Sequence, residues 1–87
     1  MFVVLAYDVQ VKRVPKVRKT VKKYLFATQK SVFEGHLTEG MLNRLKTELV
    51  GLIDAEKDSI VIYKSACPGI MKKESIGRCR TEDHMFL

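Results

Sequence analysis

Hydrophobic positions along this 87-residue chain follow two periods in turn. Residues 2–7, Phe-Val-Val-Leu-Ala-Tyr, are apolar throughout and rich in β-formers. They predict a short strand buried on both faces and ending at Asp8. Residues 9–13 read as a connecting loop. Pro15 suits the first turn of a helix, where its missing N–H costs nothing. Val14, Val17, Val21, Tyr24 and Leu25 recur at spacings of three and four, the apolar stripe of an amphipathic helix. Residues 28–35, Thr-Gln-Lys-Ser-Val-Phe-Glu-Gly, predict a second strand. Its period of two puts Ser31 and Phe33 on one face and Lys30, Val32 and Glu34 on the other. Thr38 is a plausible N-cap, and Glu39 in the first turn favours the helix dipole. Met41 or Leu42, then Leu45, Leu49 and Leu52, continue at helical spacing. An acidic turn over residues 54–58 leads to a third strand, Ser59 to Lys64, again apolar on both faces. Cys67-Pro68-Gly69 breaks it. A weaker strand over about Glu74 to Arg80 and a mixed tail, Thr81 to Leu87, complete the chain.

The order β-α-β-α-β, with a candidate fourth strand, predicts an α+β sandwich of one sheet and two helices. Two helices cover one sheet face. Strand one nevertheless carries apolar residues on both, Phe2, Val4 and Ala6 against Val3, Leu5 and Tyr7, as does the third strand. An apolar face of that size needs a cover. A second copy packed about a two-fold axis is the economical one, because such a contact is self-complementary. The expectation is a homodimer with its sheets facing. The alternative cover is the C-terminal tail, folded back over its own sheet.

Length and charge narrow the classes further. The chain has room for one domain, residues 1–87. Its longest apolar run, Met1 to Tyr7, falls far short of the roughly 20 residues of a membrane helix. It also lacks the features of a signal peptide, so the expectation is a cytoplasmic chain with no membrane partner. Cys67 and Cys79 form no Cys-x-x-Cys pair and, with His36 and His84, no zinc pattern; they read as free thiols. The net charge of +6 is uneven. Lys12, Arg13, Lys16, Arg18, Lys19, Lys22, Lys23 and Lys30 all fall between residues 9 and 33, a span with no acid. Most lie off the apolar stripe, on an exposed helix face. Such a field favours a polyanion, and nucleic acid is the commonest one; the bland reading is a solvated face.

Asp8 is the only acid in the first 33 residues. Aspartates at strand ends commonly cap backbone N–H groups. The functional reading is a Mg²⁺ ligand, since that ion takes one or two carboxylates together with waters and substrate phosphate. A two-fold dimer brings two copies of Asp8 to such a site if the residue lies near the axis.

Three segments then combine: Tyr7-Asp8-Val9; Gln29-Lys30-Ser31-Val32-Phe33-Glu34-Gly35 with Leu37-Thr38 beyond; and Asp58-Ser59-Ile60-Val61-Ile62-Tyr63. Their order and spacing resemble the small CRISPR-associated adaptation nucleases, the dimeric partners of the spacer integrase. The resemblance implies a ferredoxin-like fold that dimerises through sheet faces. It implies that residues from about 65 onward form a C-terminal strand and tail crossing to the partner subunit, with Glu74 to Arg80 adding to the partner's sheet edge. The family's metal-binding aspartate falls on Asp8, its neighbouring aromatic on Tyr7, and its site serine and phenylalanine on Ser31 and Phe33. Arg13 and Arg18 are candidates for its basic residues. The implied activity is Mg²⁺-dependent cleavage of single-stranded RNA or duplex DNA, with Mn²⁺ as a substitute ion. The implied role is a bridge between integrase subunits in CRISPR adaptive immunity. A ferredoxin-like fold places two strands between its helices. Here the dozen residues from Phe26 to Leu37 fit one long, bent strand better than a hairpin; either that strand splits or the C-terminal segment is the fourth.

Ser31 reads either as a hydrogen-bond donor to substrate or as an ordinary strand serine. Phe33 and Tyr7 read either as base-stacking rings or as packing in the dimer core, with packing favoured. Two other functions fit the same features: a small RNA-cleaving toxin of this fold, and a non-catalytic nucleic-acid-binding ferredoxin-like module. An RNA-recognition version of the latter needs exposed sheet aromatics in a Lys/Arg-Gly-Phe motif, which is absent.

Overall fold

The computed structural model describes residues 1–67 and 70–78. Its elements are β1 (Phe2–Asp8), a 3-10 turn (Val11–Arg13), α1 (Val14–Lys22), β2 (Phe26–Gln29), β3 (Val32–His36), α2 (Glu39–Val50), β4 (Ser59–Cys67) and β5 (Ile70–Gly77). The five strands form one sheet in the order β2-β3-β1-β4-β5, with every neighbour antiparallel. The first four strands with their two helices make a ferredoxin-like α+β fold, to which β5 adds an edge. Among the described residues no helix is long and apolar enough to cross a membrane.

The apolar stripes produce this arrangement. Val17 and Val21 of α1, with Leu42, Leu45 and Leu49 of α2, are fully buried against Val3, Leu5, Phe33, Ile60 and Ile62 of the sheet. Register explains why these sheet positions share a face. Leu5 pairs with Phe33 on one side and Ile62 on the other, and Tyr7 pairs with Ile60. The alternate set, Phe2, Val4 and Ala6 of β1, with Val32 of β3 and Val61 and Tyr63 of β4, lies on the face that the helices do not cover. Each is partly exposed. Thr38 caps α2 as expected, its hydroxyl accepting from the Met41 N–H at 3.2 Å.

Of the two alternatives for the fourth strand, the split applies, and the start of the C-terminal strand changes. Phe26 to Leu37 is a hairpin, with its turn at Lys30-Ser31, and not one bent strand. All four residues of β2 are exposed, so this edge strand carries no burial period to reveal it. The fourth strand of the ferredoxin-like set is therefore supplied between the helices, and the C-terminal strand is a fifth. That strand begins at Ile70, earlier than Glu74. It pairs with β4 of its own chain, from Ser59↔Gly77 to Cys67↔Ile70. Cys79, Arg80 and the tail from Thr81 to Leu87 lie outside the described residues.

Gly77 closes β5 at φ +89°, where a Cβ would come within 2.3 Å of the Asp58 carbonyl oxygen. Only glycine fits there. The next N–H, of Arg78, donates to that same carbonyl at 2.7 Å.

Candidate active site and nucleic-acid interface

Asp8 is the last residue of β1 and pairs with Ser59. Its side chain is 58% exposed, and Nη2 of Arg78 lies 3.9 Å from its Oδ2. Strand alternation puts Asp8 on the uncovered sheet face with Val4 and Ala6. Tyr7, one residue earlier, faces the helices and is buried. The two adjacent candidates thus leave the same strand end on opposite faces.

Tyr7 stands in a second group. Its ring stacks on Phe33 with centroids 5.8 Å apart and planes at 23°. The Arg18 guanidinium lies 5.4 Å from the centroid of the Phe33 ring. Phe33 is fully buried in the core of its own chain, so packing occupies its ring. The Tyr7 hydroxyl donates to the Lys30 carbonyl at 3.3 Å, and Arg18 Nη1 donates to the same oxygen at 3.0 Å. The Tyr7 N–H donates to the Ser31 carbonyl at 3.1 Å. Ser31 lies in the hairpin turn just before β3, and its carbonyl continues the pairing of β3 with the end of β1. The structure brings Tyr7, Phe33, Arg18 and the Lys30-Ser31 turn together, with Asp8 across the sheet from them.

The basic residues divide as well. Arg13 turns inward. Its Nε and Nη2 donate to Asp58 at 2.5 and 3.0 Å, with side-chain exposures of 16% for Arg13 and 0% for Asp58. The Asp58 carboxylate also accepts from the backbone N–H groups of Gln10 and Asp54, both at 2.9 Å. Arg13 and these N–H groups hold the Asp58 carboxyl far below the usual carboxylate range, against the opposing effect of burial. The hydrogen bond to Asp58 in turn raises Arg13. Lys23 donates to Glu48 at 2.5 Å, which raises its own pKa and, together with the Tyr24 hydroxyl, lowers that of Glu48. Lys12, Lys16, Lys19 and Lys22 are exposed and make no ion pair among the described residues. Pro15, Arg18, Lys19 and Lys22, at helical spacing, line a shallow hollow of about 320 Å³ on α1. This is the surface on which phosphates can be held without reading sequence.

Asp58 and Arg78 were not among the sequence candidates. A buried carboxylate inside an acidic turn looks in sequence like a solvated one. Arg78 reaches Asp8 only because β5 ends where Gly77 meets Asp58.

A family model described as CRISPR associated protein Cas2 matches residues 1–69. The chain is similar to the CRISPR-associated endoribonuclease Cas2 of Thermotoga maritima, with 40% identity over 83 residues and 95% of each chain covered. A crystal structure described as that of Cas2 is 38% identical, with a TM-score of 0.74 over 93% of this chain and 91% of that one. Streptococcus pyogenes Cas2 at pH 6.5 is 33% identical, with a TM-score of 0.70 over 76% and 87% of the two chains.

Proposed function

The chain belongs to the CRISPR-associated Cas2 family, and from that premise we propose that it is a Mg²⁺-dependent endoribonuclease whose metal ligand is Asp8. The observation that carries the reading is the position of Asp8: an exposed carboxylate at a strand end, on the sheet face the helices leave open. The name of the Thermotoga maritima relative supports the choice of RNA as substrate.

The residues present fit the ion in a limited way. Among the described residues no group of three or more His, Cys, Asp or Glu side chains gathers into a cage. Mg²⁺ does not need one, because it keeps several waters and takes one or two carboxylates with substrate phosphate. Asp8 fits that role as a ligand. When bound, the ion supplies Lewis-acid polarisation of the phosphodiester and a more acidic water. Arg78 lies near enough to Asp8 to orient its carboxylate. The exposed lysines of α1 hold the phosphate backbone.

A second copy fits the same picture. The uncovered face is the one that bears Asp8, so a partner packed there about a two-fold axis brings a second Asp8 towards the first. The lysine surface also suits duplex DNA, which supports a bridging role beside the integrase in spacer acquisition.

The test is Asp8→Asn, which keeps shape and removes the charge. The expected result is loss of Mg²⁺-dependent RNA cleavage with RNA binding retained. Unchanged cleavage by the purified variant removes Asp8 from the mechanism.

A further inference from the structure

The hollow between α1 and the β2–β3 hairpin has a chemistry that phosphate holding and metal ligation leave unused. It is a shallow hollow, open to solvent, of about 480 Å³, with Tyr7, Val14 and Arg18 on one side and residues 27–30 on the other. That is the size of a small-molecule site, roughly 300–1,000 Å³, and not of a duplex groove. Its lining is apolar at Tyr7, Val14 and Ala27. The rim is cationic, from Arg18 and Lys30, and no carboxylate lines it.

Two rim groups are set to recognise a ligand. The Arg18 guanidinium is fixed against Phe33 and spends one N–H on the Lys30 carbonyl. A guanidinium carries five donors in one plane, so the others are presented with little left to order. Gln29 is exposed, and its side-chain amide makes no hydrogen bond among the described residues. An amide can both donate and accept, which is what reading a base edge requires.

An apolar lining, a cationic rim free of acid and one unspent amide together describe a nucleotide with an unpaired base. Bases in a duplex are hidden in the stack. Bases of single-stranded RNA can be splayed out and laid on aromatic rings or guanidinium planes. We infer that this hollow is a subsite for one unpaired nucleotide of a single-stranded RNA. Its base lies against Val14, Ala27 and Arg18, its edge meets Gln29, and its phosphate meets Lys30. Tyr7 and Asp8 leave one strand end on opposite faces. An RNA seated in the hollow therefore leads round the end of the sheet towards Asp8. Only that last step, which makes the bound strand a substrate, rests on the nuclease reading.

The test is an NMR titration of the full chain with AMP and UMP, with inorganic phosphate as control, alongside RNA cleavage kinetics. Saturable amide shifts are expected at residues 14–18 and 27–31, and phosphate alone does not reproduce them. Ala27→Trp fills the hollow from an exposed position facing it. It should abolish the shifts, leave duplex DNA binding unchanged, and raise KM for single-stranded RNA about fivefold, the low end of a lost base-stacking contact. Gln29→Ala, a surface change with no buried partner, should weaken binding and narrow the difference between AMP and UMP. Shifts reproduced by phosphate reduce the hollow to an anion site and overturn the inference. Shifts and KM that survive Ala27→Trp put the nucleotide elsewhere and overturn it too. Nucleotide binding here without any RNA cleavage by the wild type supports the subsite and sinks the nuclease reading alone.

Discussion

Replacing Asp58 by Asn keeps the shape of a side chain that is 0% exposed and removes its charge. In the wild type that carboxylate accepts from the N–H groups of Gln10 and Asp54 and from two nitrogens of Arg13. An Asn has one acceptor oxygen and turns an NH2 towards groups that are donors themselves. One side of the site is left with donors facing donors. Removing one charge of a buried pair costs about 3–5 kcal/mol. Arg13 keeps 16% exposure and a second acceptor in Gln10 Oε1, so it can relax towards water. That relaxation lowers the expected cost of Asp58→Asn to about 2–3 kcal/mol. In a domain of this size each kcal/mol moves Tm by about 4–8 °C, so the expected fall is on the order of 10–20 °C.

The same residue fixes the pH dependence of that loss. The folded-state pKa of Asp58 is depressed, chiefly by Arg13. Its contribution is therefore complete above the unfolded-chain value, about 3.9, and fades as pH falls through that value towards the folded one. The stability gap between wild type and Asp58→Asn should be constant from about pH 7 to 5 and should narrow below about pH 4. Thermal unfolding followed by circular dichroism at one protein concentration measures both. A fall in Tm of less than about 2 °C at pH 7 refutes the buried-pair reading. A gap as wide at pH 3 as at pH 7 also refutes it.

Other consequences follow from how the charges are divided. Replacing Lys16, Lys19 and Lys22 by Gln should weaken nucleic-acid binding across all sequences and lower the salt slope by about 2–3, as expected for three lost phosphate contacts. An unchanged slope in filter-binding or fluorescence titrations leaves α1 as a solvated face. Sedimentation equilibrium should give twice the 10.0 kDa chain mass, and a species of single-chain mass leaves the open sheet face without its proposed cover.

The fold was legible where burial imposes a period. β1, α1, α2 and β4 each carry apolar residues at the spacing their geometry demands, and Thr38 marks the start of α2 through its hydroxyl. The hairpin was not legible. Every residue of β2 is exposed, and the Lys30-Ser31 turn contains no Gly, Pro, Asn or Asp. The start of β5 was hidden for a related reason. Lys72, Lys73 and Glu74 look like loop residues until Lys64 of β4 and Lys46 of α2 are found paired with Glu74. Of the candidate site, Asp8 and the lysines of α1 were legible as types and positions. The separation of Asp8 from Tyr7 and Phe33 by the thickness of the sheet was not, because that depends on which face each strand position takes.

Asp8 and Asp58 show why residue type alone could not sort the site. They lie at the adjoining ends of neighbouring strands, since Asp8 pairs with Ser59, the residue after Asp58. One carboxylate is buried and holds Arg13; the other is exposed on the open face. Their fates are linked. By holding Arg13 and the Gln10 N–H, Asp58 fixes the segment that follows Asp8 and the point from which α1 starts. By accepting from the Arg78 N–H through its own carbonyl, it also brings a guanidinium beside Asp8. Two of the eight clustered basic residues, Arg13 and Lys23, are neutralised by acids within the fold. Lys12, Lys16, Lys19 and Lys22 keep their charge facing water, so a positive field of the kind that favours a polyanion survives folding.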